Sequence, residues 1–284
     1  MQQVVARRRL RPGRTLSIML GLLVTLLWAV PILWMIATSV KPTDQILSIP
    51  PNWIPTTFTA EHYQSVLEKP LVRWYFNSVF VSSMTTFITL VIGATAGYAF
   101  AKLDFFGKRL VFWIVLATLM VPFEITLIPL YRLMGNFRLV NTYWSIILPG
   151  AASAFSVYLF RQFFLSIPRE LEEAAAIDGC GLWGRFSRIV LPLSVPAILS
   201  VGILAFAESF NQYLWPLLMS NSDDVKTLPV GIAQFSPSLA GSVNITRYYG
   251  MGTAAAALMA IPSLFVFFLL QRYFMSGAIT SGLK

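Results

Sequence analysis

Apolar residues come in long unbroken runs, separated by short clusters of charge. Uncharged stretches extend from Thr15 to Val40, Trp74 to Ala101, Leu139 to Phe160 and Tyr248 to Gln271. Each is longer than the roughly 20 residues a helix needs to cross hydrocarbon. Two further runs, Leu110 to Tyr131 and Ile189 to Ser222, have the length of a span but are each interrupted by one acid, Glu124 and Glu208. No succession of short alternating segments is present, which argues against a transmembrane barrel. The pattern predicts an all-α integral membrane protein with six transmembrane helices, at about 15–38, 74–101, 110–131, 140–163, 196–220 and 249–272.

Composition agrees: 56% of the 284 residues are hydrophobic and 12% charged, against roughly 25% charged in a soluble domain. With a cytoplasmic N-terminus, residues 1–14 form a basic inner segment and lysines and arginines fall about two to one on the inner side. Six spans then return the C-terminal tail, 276–284, to the cytoplasm. The net charge of +9 is thus mainly a topological signal, dispersed among loops, and not the footprint of a nucleic-acid-binding domain. The first apolar run is too long for the core of a cleaved signal peptide and is read as a retained span.

Chemistry is sparse. One cysteine, Cys180, and one histidine, His62, leave no internal disulfide, and no metal site or catalytic His pair is legible. His62 is expected at the surface of a Pro-rich outer loop, with Trp53, Phe58 and Tyr63 at headgroup level. Nucleophile-elbow, HExxH and phosphate-binding G-x-x-x-x-G-K-[ST] motifs are missing, so the chain cannot cradle nucleotide phosphates by itself. No enzyme activity and no bound cofactor are expected.

Within the spans, Gly93 and Gly97 form a G-x-x-x-G pair suited to close helix packing. Glu208, Asn211, Gln212 and Trp215 recur at i, i+3, i+4 and i+7, which would place an acid, two amides and an indole on one helical face. Such a face suits a polyhydroxylated solute, and equally suits hydrogen bonding to a neighbouring helix. Pro216 would free the carbonyl of Gln212 and loosen the helix there. Glu124, following Pro122, is a weaker candidate for the solute path.

The segment ELEEAAAIDGCGLWGRFSRIVLP, Glu170 to Pro192, is polar and alanine-rich between two apolar runs. Helix formers extend from Glu170 to Ile177. Asp178 and Gly179 then stop the helix, the glycine suiting a left-handed position. Leu182, Trp183, Phe186, Ile189 and Val190 follow on one face, with Arg185 and Arg188 opposite, as in an interfacial helix. A helix, tight turn and amphipathic helix read as a docking element.

Glu173, Ala174, Ala175, Gly179, Ile189, Leu191 and Pro192 match the pattern E-A-A-x3-G-x9-I-x-L-P at every position. The chain therefore resembles permease subunits of bacterial ABC importers, with the fold of a type I importer transmembrane domain. GYAFAKL, MVPFEITLIPLY, FNQYLWPLL and SGAITSGLK are similar to the carbohydrate-uptake branch, including its maltose and glycerol-3-phosphate permease subunits. The resemblance covers nearly all of the chain beyond about residue 15, and Cys180 departs from the alanine common there. It implies a second permease subunit, a cytoplasmic ATPase dimer that holds ATP and Mg, and an extracytoplasmic solute-binding protein, all at the inner membrane. It also implies that a cytoplasmic loop, 166–192, couples to the ATPase: Glu173 supplies an ionic contact, Gly179 the bend, and Asp178 lies beside it. The resemblance to the maltose permease subunit further implies that the tail, 276–284, reaches the ATPase dimer. A sugar or sugar-like solute is expected; a polyol-phosphate importer, an ATP-independent facilitator and a membrane enzyme are the alternatives.

Overall fold

The computed structural model describes residues 12–239 and 244–281, and these residues are helical with no strand. The chain divides into two compact units, one built from residues up to Glu68 with Phe235–Leu258, the other from Lys69–Gln234 with the residues from Met259 onward. The basic segment 1–14 and the tail 276–284 fall partly outside the described residues.

In the first unit, helix α1 covers Pro12–Ser39, and Leu16–Ser39 is long and apolar enough to cross a membrane. The Pro-rich segment after it is folded back on the helix end. Lys41 is fully buried, donates to the carbonyl of Asn52 at 2.5 Å and lies 4.1 Å from the Trp34 ring centroid. Helix α2, Glu61–Leu67, supplies Tyr63, whose hydroxyl is 2.8 Å from Ser39 Oγ. His62 is a correction to the expectation of a surface residue: it is completely buried, with Nε2 2.9 Å from the carbonyl of Lys41. It sits against Gly250, where an added Cβ would come within 2.3 Å of the ring. Trp53 and Phe58 remain exposed.

The second unit is organised by α3, Leu71–Lys102, an unbroken apolar helix of 32 residues. Three other apolar segments are bent. Helix α4, Lys108–Ala117, with the turn that follows it, meets α5, Phe123–Asn136, at 100°. Pro122 sits at that corner, where its missing N–H and the restriction it places on Val121 end the first helix. Helix α6, Tyr143–Ala151, meets α7, Ala154–Ser166, at 43°. The Ser153 hydroxyl accepts the N–H of Ser156 and restarts the helix. The segment Leu182–Leu193 meets α9, Val195–Asn211, at 78°, with Ser194 buried at the bend and Pro196 in the first turn. The last described helix is α11, Ile245–Ser281, 37 residues long, many of whose later side chains lie outside the described set. By length and composition, two single helices and three bent pairs qualify as spans among the described residues.

Helix α3 packs along α7 through its small-residue stripe. A Cβ on Gly93 would lie 2.7 Å from Ser156 Oγ, and one on Gly97 would lie 2.6 Å from Phe160 Cβ and 3.0 Å from the backbone nitrogen of Arg161. Those distances are shorter than van der Waals contact, so the helices approach this closely only because both positions lack a side chain. Around that line Ala94, Tyr98, Phe160, Phe164, Phe186, Val190, Ala197 and Val201 form one buried cluster joining α3, α7, α9 and the segment before α9.

A candidate docking segment and a polar cavity

The segment expected to dock begins as helix α8, Arg169–Ile177, with Pro168 at its N-cap. Asp178 ends the helix and Gly179 takes φ +80°. The N–H of Gly179 donates to Ala176 at 3.1 Å and that of Cys180 to Ala175 at 2.8 Å, the paired bonds of a Schellman motif. Among the described residues, its chain neighbours aside, no atom comes within 4 Å of a Cβ built on Gly179. Glu173, Ala174, Ile177, Asp178 and Gly179 are exposed and Ala175 is half-buried, so the motif residues form a free strip.

Glu172, which the motif reading passed over, behaves in the opposite way. It is the one buried side chain of α8. Its Oε2 accepts from the Tyr98 hydroxyl at 2.7 Å and its Oε1 lies 3.2 Å from Lys102 Nζ. Lys102 also donates to the carbonyl of Ile167 at 2.6 Å. The signal was present as Tyr98 and Lys102 at i, i+4 in the last turns of α3, with an acid in the polar segment that follows α7.

Beyond the turn, Leu182–Arg185 leads into a π-helical turn, Phe186–Val190, and then Leu191–Leu193. The apolar residues of the face expected here divide by depth within the chain. Phe186 and Val190 are buried, Ile189 and Leu191 are half-buried, and Leu182, Trp183 and Pro192 are exposed. Phe186 and Val190, at i and i+4, share the face that meets the core, and the π turn that contains them adds a residue to the local helical repeat.

A cavity of about 450 Å³ lies between α3, the α6–α7 corner and α9. Its polar lining is Thr85, Thr89, Ser153, Ser156, Glu208, Ser209 and Gln212, with Phe155 as an aromatic wall. Thr85 is buried and its hydroxyl oxygen has no hydrogen-bond partner among the described residues. Hydroxyls, an amide and a carboxylate around such a volume can exchange hydrogen bonds with a small polar solute.

The single helical face expected over Glu208, Asn211, Gln212 and Trp215 is corrected by the structure. Helix α9 ends at Asn211, Gln212 is extended, and the chain resumes as α10, Leu214–Met219. Pro216 lacks the N–H that would carry the helix across this break. Glu208 and Gln212 face the cavity, whereas Asn211 folds back to the carbonyl of Ala207 at 2.7 Å. Trp215 is completely buried among Val81, Met134, Ile146, Ile147 and Met219, and its indole N–H donates to Ser145 at 2.8 Å. It is a core residue. Glu124 is exposed in the first turn of α5 and does not line the cavity.

Comparison with known proteins defines the class that this helical membrane fold and exposed motif describe. Residues 89–278 match the family described as binding-protein-dependent transport system inner membrane component. The chain belongs to this family. The arabinooligosaccharides permease protein AraQ of Halalkalibacterium halodurans is 35% identical over 261 residues, covering 89% of this chain and 90% of AraQ. The lactose permease protein LacG of Rhizobium radiobacter is 33% identical over 252 residues, covering 88% and 89%. A bacterial ABC transporter involved in import of the polysaccharide alginate shares the fold, with a TM-score of 0.80 at 22% identity, covering 94% of this chain and 99% of that one. The protein is therefore a multi-pass permease subunit of an ABC importer, and not an enzyme: in such importers a separate ATPase hydrolyses ATP.

Proposed function

We propose that this chain is one of two different permease subunits lining the path of a sugar or sugar-like solute, and that segment 166–192 is where the ATPase dimer drives it. The observation that carries the coupling role is the exposed strip of α8. Glu173 offers a free carboxylate to a basic group of the ATPase, and the bend at Gly179 leaves the backbone uncovered. Ala174 and Ala175 keep the strip narrow enough to enter a cleft. Ile189, Leu191 and Pro192 join the strip to the buried cluster around Phe186 and Val190. ATP and Mg belong to the ATPase. Its closure on nucleotide displaces α8, and the rigid packing behind α8 converts that displacement into reorientation of the spans.

The solute reading rests on the cavity and on the names of the relatives, several of which are oligosaccharide permeases. Glu208 of α9 and Gln212 just beyond its end are its proposed polar contacts, with Thr85 and Ser156 opposite. The solute arrives on an extracytoplasmic binding protein, and both termini lie in the cytoplasm. Affinity purification tests the assembly: the tagged chain brings down an ATPase bearing a phosphate-binding loop and a second permease. Recovery of the chain alone, active in liposomes without ATP, would overturn it. A thermal-shift screen of the cognate binding protein against oligosaccharides, monosaccharides and sugar phosphates then identifies the solute class.

A further inference from the structure

We propose that Glu172, Tyr98 and Lys102 form a latch that makes the coupling helix and span α3 move as one body, so that breaking it uncouples ATP hydrolysis from opening of the cavity. The proposal rests on the reading of α8 as the ATPase contact and names the residues that transmit its motion.

A lever needs a grip, and α8 has only one. Of its nine residues, Glu172 alone is buried. Leu171 and Ile177, the apolar residues that would anchor an ordinary amphipathic helix, are 45% and 87% exposed. The deepest hold of the helix on the bundle is therefore a carboxylate. That carboxylate and the Lys102 ammonium are 8% and 5% exposed, so neither is screened by water as a surface pair would be.

The arrangement is directional. Lys102 lies in the last turn of α3, and Glu172 in the first turn of α8, so each charge sits at the helix end whose dipole stabilises it. Lys102 bridges Glu172 to the carbonyl of Ile167, just ahead of α8, and thereby fixes the entry of the helix as well as its first turn. Tyr98 carries the connection inward: its hydroxyl holds Glu172, and its ring lies 4.9 Å from Phe186 and 6.3 Å from Phe164. An apolar contact would hold the helix with equal strength but let it slide. Hydrogen bonds and an ion pair of defined geometry fix its register, which is what transmission of a small displacement requires.

Glu172, Tyr98 and Lys102 are positioning residues, so the test reads transmitted motion. In the full complex with its ATPase and second permease, Cys180→Ser removes the native thiol and Gln212→Cys places a reporter in the cavity. The rate of its modification by a water-soluble maleimide is measured with and without ATP plus vanadate, which needs no knowledge of the solute. With the latch intact, nucleotide changes the labelling rate. Tyr98→Phe, which keeps the ring and removes only the hydroxyl, and Glu172→Gln, which keeps the acceptor, each reduce that change about fivefold, the scale of one hydrogen bond. Glu172→Ala removes it, while the ATPase still co-purifies through the exposed strip. An unaltered nucleotide response in Tyr98→Phe and Glu172→Gln would overturn the latch, as would failure of both conservative variants to assemble, which would make the cluster a requirement for folding alone. Lack of any nucleotide response before latch residues are changed would instead refute the coupling reading on which the latch rests.

Discussion

Replacing Gly179 separates the demands of folding from those of docking. Its φ of +80° lies where an L-residue costs about 1–2 kcal/mol, and asparagine or aspartate somewhat less. Since no atom of the described residues, chain neighbours aside, stands within 4 Å of an added Cβ, they add no steric cost. Nor are the two Schellman bonds removed, because both use backbone groups. Gly179→Asn therefore leaves insertion and the fold intact. Gly179→Asp is conformationally similar but adds a carboxylate beside Asp178 and on the same exposed strip as Glu173. In cells lacking the native subunit, Gly179→Asp abolishes uptake or ATPase association, with membrane content of the permease unchanged. Gly179→Asn reduces uptake less. Normal transport by Gly179→Asp with an unaltered complex would falsify the docking role of this turn.

Other expected outcomes follow from the same geometry. Gly97→Ala forces a methyl against Phe160 and the backbone of α7 and lowers stability by about 1–3 kcal/mol, whereas Gly202→Ala, whose nearest neighbour is Leu90 at 3.5 Å, is close to neutral. Thermal unfolding in detergent compares the two. Glu208→Gln raises the solute concentration needed for half-maximal uptake without loss of the ATPase; Trp215→Phe, which orphans the Ser145 carbonyl, lowers the melting temperature and leaves solute preference unchanged. The Asp223 carboxyl is held below its ordinary value chiefly by the Lys226 ammonium 2.7 Å away, with a smaller contribution from the Trp74 indole. A depressed carboxylate contributes stability above its unfolded value and loses it as pH falls through the folded one, so this tie loosens only below about pH 4. Trp74 fluorescence during acid titration reports it, and a midpoint near pH 6 would assign the transition to another group.

Much of the coupling segment is readable without coordinates because its requirements are local. A run of helix formers, an aspartate and then a glycine specify helix, stop and left-handed turn within ten residues, and α8 with Gly179 follows that order. Gly93 and Gly97 are legible for a similar reason: the i, i+4 spacing alone makes a groove. Glu208, Asn211, Gln212 and Trp215 show where locality fails. Their spacing describes one face only if the helix continues, and it stops at Asn211, dividing the set between a cavity, a helix end and the core. His62 was misplaced because polarity suggests exposure, while a carbonyl from Lys41 and the bare backbone of Gly250 make a buried seat for it.

The chain's own pattern determined the membrane class and the place of the helix stop at Asp178 and Gly179, since each depends on composition or on spacing within one element. Only the tertiary structure decided which acid of the adjacent pair Glu172 and Glu173 faces inward. Neighbours on a helix are 100° apart, and the choice between solvent and bundle was made by Tyr98 and Lys102, some seventy residues earlier in the chain.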